Sequence, residues 1–235
     1  MLKEMDPSGP MAAEAAIRLG VTDASGKSVR GEFREPLDLR VLKAVNDLWG
    51  RIYPYLASQV MEHYGRSVGD VLELGPFAGG LSVELARRYP GLNFTIAAQD
   101  SGIVDFLRKE IETAIPCQRI ELKRSELHNL VFPDSLFDLA IFRGAYFFLD
   151  EEGKIIREVY RVLKDDGVAF VGGGYGKDTP GALIDEIGEE SRILNDRLGR
   201  KKVTVDELKE MVNRSGLFDH ARIEKEGGLW LVIRK

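Results

Sequence analysis

From Gly69 onward, short apolar runs alternate with amphipathic stretches of about ten residues, the pattern of βαβ units on a parallel sheet. Val71–Leu74 reads as a first strand, followed by a helix at Leu81–Arg88. Phe94–Ala98 reads as a second strand, followed by a helix at Ile103–Ala114. Ile120–Lys123 is a short third strand, Phe137–Phe142 a fourth with a helix at Lys154–Leu163, and Gly167–Gly172 a fifth. Past Gly176 a longer helix falls near Ala182–Leu198. Thr204 and Glu207 then stand three residues apart as a capping box, opening a helix that runs to Arg214 and stops at Gly216. Ala221–Lys225 and Leu229–Arg234 flank Gly227 and Gly228 and read as a closing hairpin.

Upstream of Gly69 the pattern is helical. Leu37, Leu39, Val41, Leu42, Val45, Leu48 and Trp49 recur at three- and four-residue spacing, and Pro54 opens a second helix with Leu56, Val60 and Met61 on one face. Ala12–Leu19 predicts a short helix before a polar loop. The expected organisation is a helical segment and cap over residues 1–66 and an α/β domain over residues 67–235.

Composition narrows the classes. The chain has 235 residues, a net charge of −5, 44% hydrophobic residues and 30% charged ones, which suits one globular domain able to bury about 70% of its unfolded surface. The densest basic run, Arg197–Lys202, reads as a solvated loop, so no nucleic-acid partner is expected. Cys117 is the only cysteine, which excludes an internal disulfide and a cysteine zinc site. His63, His128 and His220 lack ligand spacing, so no metal is expected. The N-terminal residues lack a signal-peptide apolar region, and no apolar run of about 18 residues appears. Cytoplasmic placement and no membrane partner are the expectations; a homodimer is left open.

The chemistry concentrates at Val71-Leu-Glu73-Leu-Gly75-Pro-Phe77-Ala-Gly79-Gly80, a strand running through glycines into a helix. Glycines let the backbone approach a ligand, and the helix start offers free N–H groups. A dinucleotide turn needs G-x-G-x-x-G, but two residues after Gly75 stands Phe77. Glu73 would repel a pyrophosphate yet pair with a cationic amino group. S-adenosylmethionine carries an ammonium and a sulfonium, so the acid favours it.

These residues resemble the first motif of the class I S-adenosylmethionine-dependent methyltransferases, roughly [DE]-x-G-x-G-x-G, in the type typified by ubiquinone/menaquinone-biosynthesis enzymes. Phe77 replaces the middle glycine. Phe132-Pro-Asp-Ser-Leu-Phe-Asp-Leu-Ala-Ile-Phe resembles the family's entry to the fourth strand, and Glu158-Val-Tyr-Arg-Val-Leu-Lys-Asp-Asp-Gly its approach to the fifth. The resemblance covers about residues 50–235. It implies a Rossmann-like fold, a mostly parallel seven-stranded sheet with a C-terminal antiparallel hairpin, and S-adenosyl-L-methionine as cofactor.

The resemblance also implies roles. Glu73 would hold the methionine ammonium, with Gly75, Pro76, Phe77 and Gly79 against the cofactor. Gln99 aligns with the acid that usually holds the ribose hydroxyls, and a one-residue shift would give Asp100 that role; both stay open. Glu126 would meet the adenine amino group, with the Leu127 N–H beside it. Arg143 and Gly144 would line the methionine part, Arg143 binding the cofactor's carboxylate or an anionic substrate. Tyr53 resembles a residue that caps the cofactor. The acceptor is expected to be a mainly apolar small molecule, methylated by in-line displacement. Tyr146, Phe147 and Tyr175 are its candidate contacts, and Gly172–Gly176 reads as a loop that moves. No general base stands out; Tyr146 and His128 are the nearest by position.

Overall fold

The structure, a computed structural model, describes residues 38–115, 120–198 and 202–235. The expected helix at Ala12–Leu19 and the lone Cys117 lie outside the described residues. Two helices lead the chain: α1 (Leu39–Trp49) and, after a 3-10 turn at Gly50–Ile52, α2 (Tyr53–Tyr64), with Pro54 in its first turn. The α/β part follows as β1 (Val68–Leu74), α3 (Gly80–Arg88), β2 (Gly91–Ala98), α4 (Ser101–Ala114), β3 (Ile120–Arg124), β4 (Phe137–Arg143), α5 (Lys154–Val162) and β5 (Leu163–Gly174). It closes with α6 (Gly181–Arg197), α7 (Val205–Ser215), β6 (Ala221–Glu224) and β7 (Gly228–Arg234).

The seven strands form one sheet in the order β3-β2-β1-β4-β5-β7-β6. β1 to β5 run parallel; β7 pairs antiparallel with β5, and β6 antiparallel with β7. The alternation predicted the parallel strands, and the family resemblance implied this Rossmann-like sheet with its terminal hairpin. Helices cover both faces. Alternate side chains of one strand join different cores: Val71 packs with α2, α3 and α4, whereas Leu72 and Leu74 pack with α5 and α7. The chain reverses its strand order between β1 and β4, so a crevice opens at their carboxyl ends.

Differences from the sequence reading have local causes. β5 begins at Leu163 rather than Gly167, because the polar Lys164-Asp165-Asp166 segment continues the strand through a register shift opposite Phe137 and Leu139. Asp166, at φ 63°, donates its N–H to the Lys235 carbonyl. β5 also runs on to Gly174, so Gly173 and Gly174, expected in a loop, pair with β7. Tyr175 and Gly176 both donate to the Gly227 carbonyl, and the Gln59 amide bridges the Lys177 N–H and the Glu226 carbonyl, tying this stretch to α2. The capping box of Thr204 with Glu207 and the left-handed Gly216 are where the spacing placed them. Among the described residues no helix is long and apolar enough to cross a membrane.

Candidate cofactor and acceptor site

The parity of β1 decides where Glu73 goes. It follows Val71 onto the face covered by α3 and is 0% exposed. Its Oε2 accepts hydrogen bonds from Gly79 N at 2.9 Å, Ser82 N at 3.0 Å and Ser82 Oγ at 2.5 Å. The carboxyl therefore clasps the turn to the first residues of α3, occupying N–H groups that a helix start leaves free. Its Oε1 is buried without a partner. Burial pushes the Glu73 pKa up, while the bonds from Ser82 and Gly79 and the positive charge of Arg143 act the other way.

The turn needs its glycines. Gly75 and Gly79 lie at φ +90° and +101°, in the region open chiefly to glycine. A β-carbon on Gly75 would stand 2.8 Å from the Phe142 ring. Pro76 and Phe77 are both buried. The Phe77 ring, 2% exposed, packs 5.3 Å from Phe147 and 6.5 Å from Phe148.

On one side of the turn, Gln99 directly follows β2 and donates from Nε2 to Glu126 Oε2 at 3.3 Å. Asp100 instead caps α4, accepting from Ile103 N at 3.1 Å. Glu126 is exposed and Leu127 buried. Their loop is fastened to α5 by Glu158, which accepts from Leu130 N, and by Arg161, which donates to the Leu130 and Phe132 carbonyls. Glu158 and Arg161 also bond each other through both carboxylate oxygens, and this bond draws the Glu158 pKa down. His128 lies on the same loop but is half exposed, 3.7 Å from Asp150; the structure does not bring it to the cavity.

On the other side, β4 delivers Arg143. It is 4% exposed, and its Nη2 donates to Tyr53 Oη at 3.0 Å, the Phe77 carbonyl at 2.9 Å and Asn46 Oδ1 at 3.4 Å. Beyond it lies a cavity of about 520 Å³ lined by Trp49, Phe77, Arg143, Gly144, Tyr146, Phe147 and Tyr175 among others. Tyr146 reaches across it to donate to the Leu229 carbonyl at 2.5 Å. Trp49 stacks on Tyr175 at 5.0 Å. A second cavity, about 640 Å³, lies away from all of these, between α4 and β2–β3.

Trp49 and Asn46 were not among the candidates drawn from the sequence, nor was the buried polar pair Ser191 and Asn195 on α6, which bond each other at 3.2 Å and also line the cavity beyond Arg143. A signal for the last two existed. Polar residues four apart on an otherwise apolar helix face call for a partner or a ligand.

A Rossmann-like sheet with an acid-held glycine turn at its switch point is a geometry on which ligands bind at the carboxyl ends of the strands. Residues 71–167 match the family model of the methyltransferase domain. The chain is 26% identical over 162 residues to malonyl-[acyl-carrier protein] O-methyltransferase of Geobacter sulfurreducens, covering 66% of this chain and 59% of that one. It is 26% identical over 153 residues to the uncharacterized methyltransferase YcgJ of Bacillus subtilis, covering 63% and 56%. It thus spans a little over half the length of these curated relatives. A putative S-adenosyl-L-methionine-dependent methyltransferase from Methanococcus maripaludis superposes with a TM-score of 0.71 at 25% identity, over 87% of this chain and 96% of that one. By domain match and by fold the chain is similar to S-adenosylmethionine-dependent methyltransferases.

Proposed function

We propose that the chain methylates a small molecule with S-adenosylmethionine bound between the Glu73–Gly80 turn and the Gln99–Glu126 pair. The observation that carries this is Glu73 Oε1, a buried carboxylate oxygen without a partner beside the turn. An unpaired buried acceptor is costly, and a ligand ammonium is the chemical group that satisfies it. Gly75, Pro76 and Gly79 would form the wall against the cofactor. Gln99 would accept from the ribose through its carbonyl oxygen, since its amide nitrogen already serves Glu126; Asp100 is committed to its cap. Glu126 and the Leu127 N–H would meet the adenine.

When bound, the cofactor supplies a methyl group on a sulfonium, which an acceptor lone pair takes in line as the carbon–sulfur bond breaks and its electrons return to sulfur. The protein has to align that lone pair and exclude water. α1 and α2, with Tyr53, Trp49, Phe147 and Tyr175, would cap the site and do both. Tyr146, its hydroxyl hydrogen directed at Leu229, would position the acceptor. The net charge of −5 and the confinement of clustered basic residues to the short run Arg197–Lys202 support a small acceptor over a nucleic acid.

Saturable one-to-one binding of S-adenosylhomocysteine in calorimetry, with methyl transfer from labelled S-adenosylmethionine to an acceptor, is the expected result. Absence of any binding removes the proposal. Phe77 favours one other reading, a nucleoside-binding module without turnover, because a buried ring stands where the family motif has its middle glycine. Methyl transfer to any acceptor eliminates that reading.

A further inference from the structure

Arg143 is a charge with no acidic partner among the described residues. Its guanidinium stays protonated in any protein environment. Yet its side chain is almost wholly buried, and the three acceptors on Nη2 are a phenol, a backbone carbonyl and an amide oxygen, all neutral. Nε is buried with no acceptor. Among the described residues no carboxylate lies within ion-pair distance of it. Arg143 acts electrostatically on Glu73, but that carboxyl is bonded to the turn, and burial pushes its pKa up. The rings of Trp49, Tyr53 and Phe77 stand 5.4, 5.3 and 5.6 Å from the guanidinium carbon. Their faces offset part of the desolvation, which holds the cation in place without neutralising it.

The cavity that Arg143 enters carries the same bias. Arg143, Arg192 and Lys202 line it; Arg192 is paired with Glu189 at 2.7 Å and lies 3.6 Å from Asp196, which leaves Arg143 and Lys202 as the cations without an acid on the cavity wall. Its walls are otherwise aromatic, with Trp49 on Tyr175 and Phe77 against Phe147. Gln99, Asp100, Glu126 and Leu127 do not line it, so it is separate from the expected nucleoside end.

The geometry points to a methyl acceptor that is an organic anion, a carboxylate or phosphate on a planar apolar body, with Arg143 as the residue that recognises its charge. This rests on reading the cavity as the acceptor side of a methyltransferase. A buried guanidinium bonded only to neutral groups is poised for a ligand oxyanion, because only an anion restores the charge balance that folding left open.

The test measures binding to the full chain of benzoate, phenylacetate and phenyl phosphate, each beside its neutral counterpart benzamide, phenylacetamide or phenol, by ligand-observed NMR with and without saturating S-adenosylhomocysteine. At least one anion is expected to bind about tenfold tighter than its counterpart, with the preference retained at saturating S-adenosylhomocysteine, lost in Arg143→Gln and kept in weakened form in Arg143→Lys. Three results overturn the inference: no anion preferred over its counterpart, a preference that persists in Arg143→Gln, or a preference abolished by S-adenosylhomocysteine. The last would assign Arg143 to the cofactor's own carboxylate. A chain that prefers the anions but binds no S-adenosylhomocysteine leaves Arg143's recognition of anions standing and removes the methyltransferase reading instead.

Discussion

Phe77 and Gly144 are in such close apposition that a β-carbon on Gly144 would stand 2.6 Å from the Phe77 ring. One residue belongs to the turn after β1 and the other to the turn after β4, so the ring bridges the two loops that flank the crevice. Gly144 also lies at φ +70°, which favours glycine independently. Gly144→Ala should therefore destabilise the fold by about 1–3 kcal/mol, from strain and overpacking together. Phe77→Ala should cost about 3–5 kcal/mol as a core truncation. The double variant should lose less than the sum, because the truncated ring makes room for the methyl group. Urea unfolding of the four proteins measures that coupling; strict additivity would mean the two loops do not meet through this ring.

The Glu158–Arg161 pair carries the loop that presents Glu126. Arg161→Ala removes the donors to the Leu130 and Phe132 carbonyls and the partner of Glu158, at an expected cost of about 1–3 kcal/mol. Affinity for S-adenosylhomocysteine should fall with it, while Lys209→Ala, an exposed pair on α7, should change neither. Thermal unfolding and calorimetry on both variants check this.

Two carboxyls give opposite pH signatures. The Glu158 pKa is lowered, chiefly by the bond from Arg161, so its contribution is present above the unfolded value near 4.5 and fades as pH falls through the folded value. The Glu73 pKa is raised by burial, so its ionisation destabilises the fold as pH climbs above the same unfolded value. Relative to the wild type, Glu158→Gln should be most destabilised near neutrality and converge toward it in acid. Glu73→Gln should gain on the wild type as pH rises. Denaturation from about pH 2 to 8, which extends well to both sides of the unfolded carboxyl value, checks the signs.

Gln59 fastens the β5–α6 connection to α2. Its amide donates to the Glu226 carbonyl at 3.1 Å and accepts from Lys177 N at 3.0 Å, within a side chain 1% exposed. Gln59→Leu should leave both backbone groups unpaired at about 1–3 kcal/mol each. Amide hydrogen exchange should then speed up at Lys177 and leave β1 unchanged.

Much of the fold was legible because each βαβ unit carries its own period, and Thr204 with Glu207 or Gly216 announce helix ends through local chemistry. β5 was misplaced at its start because Lys164-Asp165-Asp166 looks like a loop, and only pairing with β4 and the Lys235 carbonyl makes it strand. The strand, glycine turn and helix around Glu73 were readable from spacing. That Glu73 would bond Gly79 and Ser82 was not, since parity on β1 shows the face but not the rotamer. Gln99 and Asp100 could not be separated in sequence; the cap on Ile103 separates their contacts. Trp49 and Asn46 met Arg143 only through tertiary packing, which no local pattern records.

The central claim is that the unpaired oxygen of Glu73 serves a cationic ligand at the turn. Glu73→Gln keeps a carbonyl oxygen for Gly79 and Ser82 and replaces Oε1 with an amide nitrogen, so the turn can persist while the acceptor is lost. Calorimetric titration of S-adenosylhomocysteine into both proteins decides it. The account predicts saturable one-to-one binding to the wild type and an affinity at least about tenfold lower in Glu73→Gln, a loss of about 1.4 kcal/mol, with the variant still cooperatively folded. Equal affinities, or no binding to the wild type, would contradict it.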